Sequence, residues 1–173
     1  MSSYALEILS EKHDRAGFTS GLESVDRYLR EIARGHLQKG VSATRVLVAA
    51  DALPPKAILG FFTLSTIMIE AREWPAVPKG LPKQEVPAVL LGRLAVATSA
   101  HQKGLGSMLM ATARQLARES ILRTGGLGLV VDAADEAVIG FYSKFGFRRV
   151  SPGSLRMFLP AAALETGSMI PKG

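Results

Sequence analysis

The sequence predicts a single mixed α/β domain, and three observations predict it. Apolar residues recur at helical spacing in two segments, and runs rich in Val, Ile, Phe and Leu alternate with them. The 173 residues are 47% hydrophobic and 21% charged, enough to bury one core and too apolar for disorder. No internal repeat or linker interrupts the pattern.

Tyr4 to Leu9 alternates and reads as a first strand. Ser20-x-x-Glu23 has the form of a capping box opening a helix, on which Val25, Tyr28, Leu29, Ile32 and Ala33 form an apolar stripe. Arg27, Arg30 and Arg34 lie on another face, and Gly40 ends the helix. Thr44 to Ala50 and Ala57 to Ile69 read as a two-stranded hairpin around Pro54-Pro55. The Pro-rich segment from Ala71 to Pro87 is an ordered excursion, long enough to be a lip or an interface. Ala88 to Ala97, apolar apart from Arg93, reads as a central strand buried on both faces. Leu105, Met108, Leu109, Ala113, Leu116 and Ala117 mark a second helix, and Leu129 to Asp132 a strand. A short helix from Asp135 to Lys144 and a strand pair within Phe147 to Leu159 complete the domain, residues 1–160. Residues 161–173, small and Pro/Gly-containing, read as a flexible tail.

Composition excludes several classes. The chain has no cysteine, hence no disulfide, thiolate metal site or cysteine nucleophile. His13 and His36 are isolated in sequence and no ligand spacing occurs, so no metal site is expected. No apolar run is long enough for a membrane helix and no secretory signal is visible, so a cytoplasmic protein is expected. The net charge of +6 and pI near 9.9 suit either a polyanionic partner or a solvated basic surface.

The most informative stretch is Leu91-Gly-Arg-Leu-Ala-Val-Ala97, then His101-Gln-Lys-Gly-Leu-Gly106, then a helix. A helix cannot satisfy its first N–H groups internally, so the amides from Lys103 to Ser107 point outward at the positive end of the helix dipole. Gly104 and Gly106 let an anion approach the backbone, and Lys103 adds a charge. The chemistry suits a pyrophosphate, although a Gly-x-Gly before a helix also serves as a plain turn. A Walker loop is absent, and a dinucleotide fingerprint fails at Leu109. The second stretch, Asp135-Glu-Ala-Val-Ile-Gly-Phe-Tyr-Ser-Lys-Phe-Gly-Phe147, reads as a helix capped by Asp135, ended by Gly146, with Phe141 and Phe145 in the core. Tyr142 is left over, with a hydroxyl that needs a partner if buried.

Together the two stretches resemble the GNAT N-acetyltransferase superfamily, whose pattern is Gln/Arg-x-x-Gly-x-Gly/Ala after the central strand and Phe-Tyr-x-x-x-Gly-Phe further along. The resemblance covers most of the chain. It is sharper for the GNAT toxins of type II toxin–antitoxin modules, at Val41-Ser-x-Thr-x-Val-Leu-Val48, at Leu91-Gly-Arg-Leu-Ala-Val96 and in the Pro-rich segment between. The chain departs from the pattern at His101, and Asp135 stands where the wider family often has Asn.

The resemblance implies a mixed, mostly antiparallel sheet of six to seven strands, splayed at the central strands and flanked by about four helices. It implies acetyl-CoA as co-substrate, held by the strand at Leu94, Ala95 and Val96 and by the loop at His101, Gln102, Lys103, Gly104, Leu105, Gly106 and Ser107. Phe141 and Lys144 are further implied contacts, and Tyr142 the acid that protonates the departing thiolate. The implied acceptor is the α-amine of aminoacyl-tRNA, with Arg27, Arg30, Arg34, Lys39 and Arg93 as candidate tRNA contacts. Residues 88–97 hold no carboxylate base, which suits an aminoacyl ester amine less basic than a free α-amine of pKa about 7.7–8.0. A ribbon-helix-helix antitoxin, operator DNA bound through the complex, and a homodimer are implied too. Two other readings are a GNAT enzyme for a small-molecule or protein amine and a non-catalytic acetyl-CoA-binding module.

Overall fold

The structure, a computed structural model, describes residues 3–165. In chain order the elements are β1 (Tyr4–Ile8), β2 (His13–Asp14), α1 (Glu23–Arg27), a π turn (Tyr28–Ile32) leading into α2 (Ala33–Gln38), β3 (Ala43–Ala49), β4 (Lys56–Ala57), β5 (Gly60–Ile69), β6 (Val86–Val96), α3 (Leu105–Thr124), β7 (Gly128–Asp132), α4 (Ile139–Lys144), β8 (Arg148–Arg149), β9 (Arg156–Pro160) and α5 (Ala161–Glu165). Seven strands form one sheet in the order β1-β3-β5-β6-β7-β9-β8. The β6–β7 pair is parallel, and β1–β3, β3–β5, β7–β9 and β8–β9 are antiparallel. The mixed, mostly antiparallel sheet expected from the sequence is what the chain forms. Two compact units divide it: one takes in the residues up to Ser65 with Arg93–Met110, the other Thr66–Gly92 with the residues from Ala111 on.

In the first unit, Val46, Val48, Phe61 and Phe62 are fully buried, and Phe18 meets Phe61 edge-to-face at 5.4 Å. The hairpin pairs β3 with β5, but Lys56–Ala57 leaves it to pair in parallel with His13–Asp14. The helical stripe is interrupted by the π turn. A π turn frees one backbone carbonyl, and here Arg15 Nη1 donates to the Arg30 carbonyl at 2.7 Å. The turn also shifts the helical phase, so Tyr28, Leu29 and Ala33 are buried while Ile32 is 41% exposed, against the expected stripe.

The capping box does not form. Leu22 precedes α1 with no side-chain cap. Ser20 Oγ instead donates to Asp26 Oδ1 at 2.7 Å, and Asp26 also accepts from the Ser20 amide at 3.0 Å and Thr19 Oγ1 at 3.3 Å. A carboxylate only 3% exposed needs such donors, so Asp26 outcompetes the helix end for Ser20.

In the second unit, Ile69, Ala71, Ala88, Val130 and Phe158 form a core cluster. The Pro-rich segment is anchored to it by Val77 and by Trp74, whose ring lies 5.5 Å from that of Phe158. Along α3 the buried apolar residues are Leu105, Leu109 and Met110 in the first unit and Ala113 and Ala117 in the second, and Met108, expected on this face, is 40% exposed. Residues 161–165, expected in the tail, form α5. The Ala161 amide donates to the Leu127 carbonyl at 2.9 Å, and buried Arg114 donates to the Ala163 carbonyl at 3.0 Å. The rest of the expected tail lies outside the described residues.

Gly128 is where β7 approaches β9 too closely for a side chain: a Cβ there would stand 2.2 Å from the Leu159 carbonyl oxygen. Gly128→Ala is therefore expected to lose about 2 kcal/mol or more of stability, as overpacking against rigid backbone does. Urea unfolding with an unchanged midpoint would contradict this packing.

Candidate active site

In the first unit the site is built where the chain leaves β6. Arg93 and Ala95 share one side of the strand, half-buried and buried, while Leu94 and Val96 are half-buried on the other. Three hydrogen bonds then fix the chain. The Ala97 amide donates to the Leu59 carbonyl and the Thr98 amide to the Thr19 carbonyl, each at 2.8 Å. His101 Nε2–H donates to the Val96 carbonyl at 3.0 Å, which places the ring proton on Nε2 because a carbonyl only accepts. Thr19 is in turn tied to Asp26, so the buried carboxylate braces this exit from α1.

The turn that follows is exposed from His101 to Gly104. Gln102 and Gly104 adopt left-handed backbone at φ +65° and +73°. Nothing lies within 4 Å of where a Gly104 Cβ would stand, so the space over this backbone is open. The Met108 amide donates to the Gly104 carbonyl at 3.2 Å. The amides of Leu105, Gly106 and Ser107 precede that first helical bond and have no acceptor among the described residues. Buried Leu105 pins the start of α3, and Lys103 is exposed without an ion-pair partner among the described residues. Three outward amides at the positive end of a twenty-residue helix, beside a lysine, form an anion site.

In the second unit, Asp135 caps the short turn before α4 by accepting from the Ala137 amide at 2.9 Å, and Gly146, at φ +93°, ends α4. Phe145 is buried as expected, whereas Phe141 is half-buried and Lys144 exposed. Tyr142 is only 8% exposed, its ring edge-on to Phe141 at 5.3 Å and Phe147 at 5.8 Å. Its hydroxyl has no hydrogen-bond partner among the described residues. Burial pushes its pKa up to about 12, because water that would solvate the phenolate is excluded. Tyr142 therefore holds its proton throughout the physiological range and can act as a donor, not as a base.

The candidate cations separate into two groups. Arg30 pairs with Glu23 at 2.8 Å and Arg34 with Glu11 at 2.9 Å. Arg27 and Lys39 are exposed and unpaired among the described residues. Arg93 has no carboxylate or hydrogen-bond partner there either; its guanidinium carbon sits 3.6 Å from the centroid of the Tyr28 ring.

The sequence that carries both features is matched by a known family. The profile of the acetyltransferase (GNAT) domain matches residues 42–149, well over half of the chain. The chain belongs to the GNAT acetyltransferases. A tRNA-acetylating toxin of Mycobacterium tuberculosis (strain ATCC 25618 / H37Rv) is 32% identical over 155 residues, 88% of this chain and 89% of its own length. AtaT complexed with acetyl-methionyl-tRNAfMet is similar with a TM-score of 0.83 at 26% identity, over 94% of this chain and 98% of that one. A Tyr-to-Phe mutant of AtaT bound to the C-terminus of the antitoxin AtaR and acetyl-CoA gives a TM-score of 0.78 at 25% identity, over 94% and 96%.

In this GNAT chain several groups differ from the sequence expectation. His101 spends its Nε2–H on Val96, leaving only Nδ1 for a ligand. His13 and His36 are not isolated in space: His13 Nε2 meets Glu7 at 2.7 Å, while His36 Nδ1 lies 3.1 Å from the Tyr28 hydroxyl. Lys56 joins Glu7 at 2.6 Å, and Lys56 and His13 hold its carboxyl below the usual range. No His/Asp/Glu cluster among the described residues could hold a metal. Sequence reasoning placed Tyr28 in the core and missed its contact with Arg93, because nothing local signals a partner so far along the chain.

Gly104→Ala tests the anion site. The left-handed backbone costs an alanine about 1 kcal/mol, and its Cβ would cover the open approach. Acetyl-CoA binding by calorimetry is expected to weaken by roughly tenfold with the fold intact. Unchanged affinity would remove Gly104 from the site.

Proposed function

We propose that this acetyltransferase moves the acetyl group of acetyl-CoA onto the α-amine of an amino acid esterified to tRNA, and so acts as the toxin of a type II toxin–antitoxin module. The observation that carries this reading is the likeness, over about nine-tenths of the chain, to a tRNA-acetylating toxin and to AtaT complexed with acetyl-methionyl-tRNAfMet. An N-blocked aminoacyl-tRNA cannot accept a peptide, which stops translation.

The residues present fit the co-substrate. The open backbone at Gly104, the amides of Leu105, Gly106 and Ser107, and the unpaired Lys103 are suited to its pyrophosphate. Gln102 shapes that turn, and His101 offers Nδ1. Bound acetyl-CoA supplies an activated acyl group and a thiolate leaving group. We assign Leu94, Ala95 and Val96 to holding and polarising the thioester through their backbone, with Phe141 and Lys144 as flanking contacts. Tyr142 carries the proton for the sulfur: as the amine nitrogen bonds to the acyl carbon and the carbon–sulfur bond breaks, the phenol donates to the departing thiolate, and the proton shed by the nitrogen restores the phenol. Support for this role comes from its burial, its unpartnered hydroxyl and its raised pKa.

For tRNA contacts we favour Arg27, Lys39 and Arg93, which are unpaired, over Arg30 and Arg34, which binding would first have to release from Glu23 and Glu11. The solved complex of AtaT with the AtaR C-terminus supports an antitoxin partner. We read that partner as a ribbon-helix-helix protein that carries the complex to operator DNA, and the toxin as a cytoplasmic homodimer. No helix among the described residues is long and apolar enough to cross a membrane.

Incubation with acetyl-CoA and total aminoacyl-tRNA is expected to give N-acetylaminoacyl-tRNA, and induced expression to arrest growth. Tyr142→Phe should lower kcat by on the order of 10²–10⁴ and abolish the arrest. Acetylation of small amines with none on charged tRNA would overturn the substrate assignment.

The pH profile has a defined sign. The rate should rise as the acceptor amine loses its proton, below about pH 8. It should not fall again by about pH 9.5, because Tyr142 titrates only near 12. A descending limb near neutrality that vanishes in Tyr142→Phe would contradict the raised pKa of the phenol.

A further inference from the structure

Arg93 is an unusual cation for its position. It is half-buried on β6, yet it has no carboxylate and no hydrogen-bond acceptor among the described residues. Its guanidinium instead lies over the Tyr28 ring at 3.6 Å. That ring is a fixed platform. Tyr28 is 3% exposed, and its hydroxyl is tied to His36 at 3.1 Å and to Ser42 at 3.0 Å. It stands at the start of the π turn that Arg15 braces through the Arg30 carbonyl. Stacking occupies a face of the guanidinium, while its N–H donors lie in the plane and remain available at the edge. A planar fork of free donors, oriented by stacking and partly withdrawn from water, matches a phosphate oxygen pair.

Its place on the strand says which phosphate. Arg93 is one to three residues before Leu94, Ala95 and Val96, so at about 3.3 Å per residue its backbone lies within roughly 10 Å of the segment assigned to the acyl group. The acceptor amine must reach that acyl carbon. In an aminoacyl-tRNA the nearest anion to the amine is the phosphodiester 5′ to the terminal nucleotide, a ribose and an ester away. We propose that Arg93, stacked on Tyr28, is the specificity residue that binds this terminal phosphodiester. It discriminates a nucleotide-borne amino acid from a free amino acid or simple ester. The assignment rests on the tRNA-directed reading above and adds the group that is read.

The test uses the full chain with two minimal acceptors bearing an amino acid that the enzyme acetylates on intact tRNA. One is the 3′-aminoacyl ester of adenosine; the other is the same ester with a 5′-phosphate. Release of CoA gives kcat/KM for each. The wild type is expected to prefer the phosphorylated acceptor by about tenfold or more. Arg93→Met should erase that preference by lowering kcat/KM for the phosphorylated ester about tenfold more than for the unphosphorylated one; Arg93→Lys should keep part of the preference. Arg93→Gln, uncharged but of similar stem, gives the same reading should the methionine variant fail to fold. With intact aminoacyl-tRNA, the slope of log kcat/KM against log salt should become shallower by about one in Arg93→Met. A preference that survives in Arg93→Met, or an equal loss on both acceptors, overturns the proposal. Absence of acetylation of any aminoacyl-tRNA by the wild type would instead overturn the function on which it rests.

Discussion

Much of the site depends on how the chain is held as it leaves β6. A strand that ends in a glycine turn has no intrinsic reason to aim the following helix at one point. Here the Ala97 and Thr98 amides are bound by the Leu59 and Thr19 carbonyls, and the Val96 carbonyl is taken by His101. Each bond satisfies a backbone group that would otherwise compete for ligand or water. At the start of α3, Leu105, Gly106 and Ser107 then offer three amides in a row with no acceptor among the described residues. Asp26 extends the brace, since its buried carboxylate fixes Thr19 and Ser20.

The same economy operates at Tyr142 and Arg93. Both are polar groups placed against aromatic rings without a hydrogen-bonding partner among the described residues. Burial keeps the Tyr142 phenol protonated, and stacking keeps Arg93 in one plane without neutralising it. By contrast, the buried Asp26 and His13 are fully engaged with neighbours and read as structural.

Much of this was legible in the sequence. Strand runs gave the main-sheet strands closely, because alternation and β-branched content reflect burial directly, and Gly40 and Gly146, read as helix-ending glycines, do adopt positive φ. The failures have physical causes. The Ser20–Glu23 pattern was a sound capping box locally, but Asp26 is a stronger partner for Ser20 once buried. Ile32 was placed on the core stripe because a π turn has no spacing signature, and Met108 changed places with Met110 on α3. The α5 segment looked like tail because its anchors, Leu127 and Arg114, are distant in sequence. The site was legible as a residue set through its motif. Its electrostatics were not, since the pairing of Arg30 and Arg34, the stacking of Arg93 and the raised pKa of Tyr142 all depend on tertiary neighbours.

The central claim is that the unsatisfied amides at the start of α3 receive the pyrophosphate of acetyl-CoA. Titration of the ¹⁵N-labelled protein with acetyl-CoA, followed by amide chemical shifts, tests it most directly. The account predicts that the Gly104, Leu105, Gly106 and Ser107 amides shift most and saturate together, and that acetyl-pantetheine, which lacks the pyrophosphate, leaves them unmoved. Saturable binding of acetyl-CoA with those four amides unshifted would contradict it.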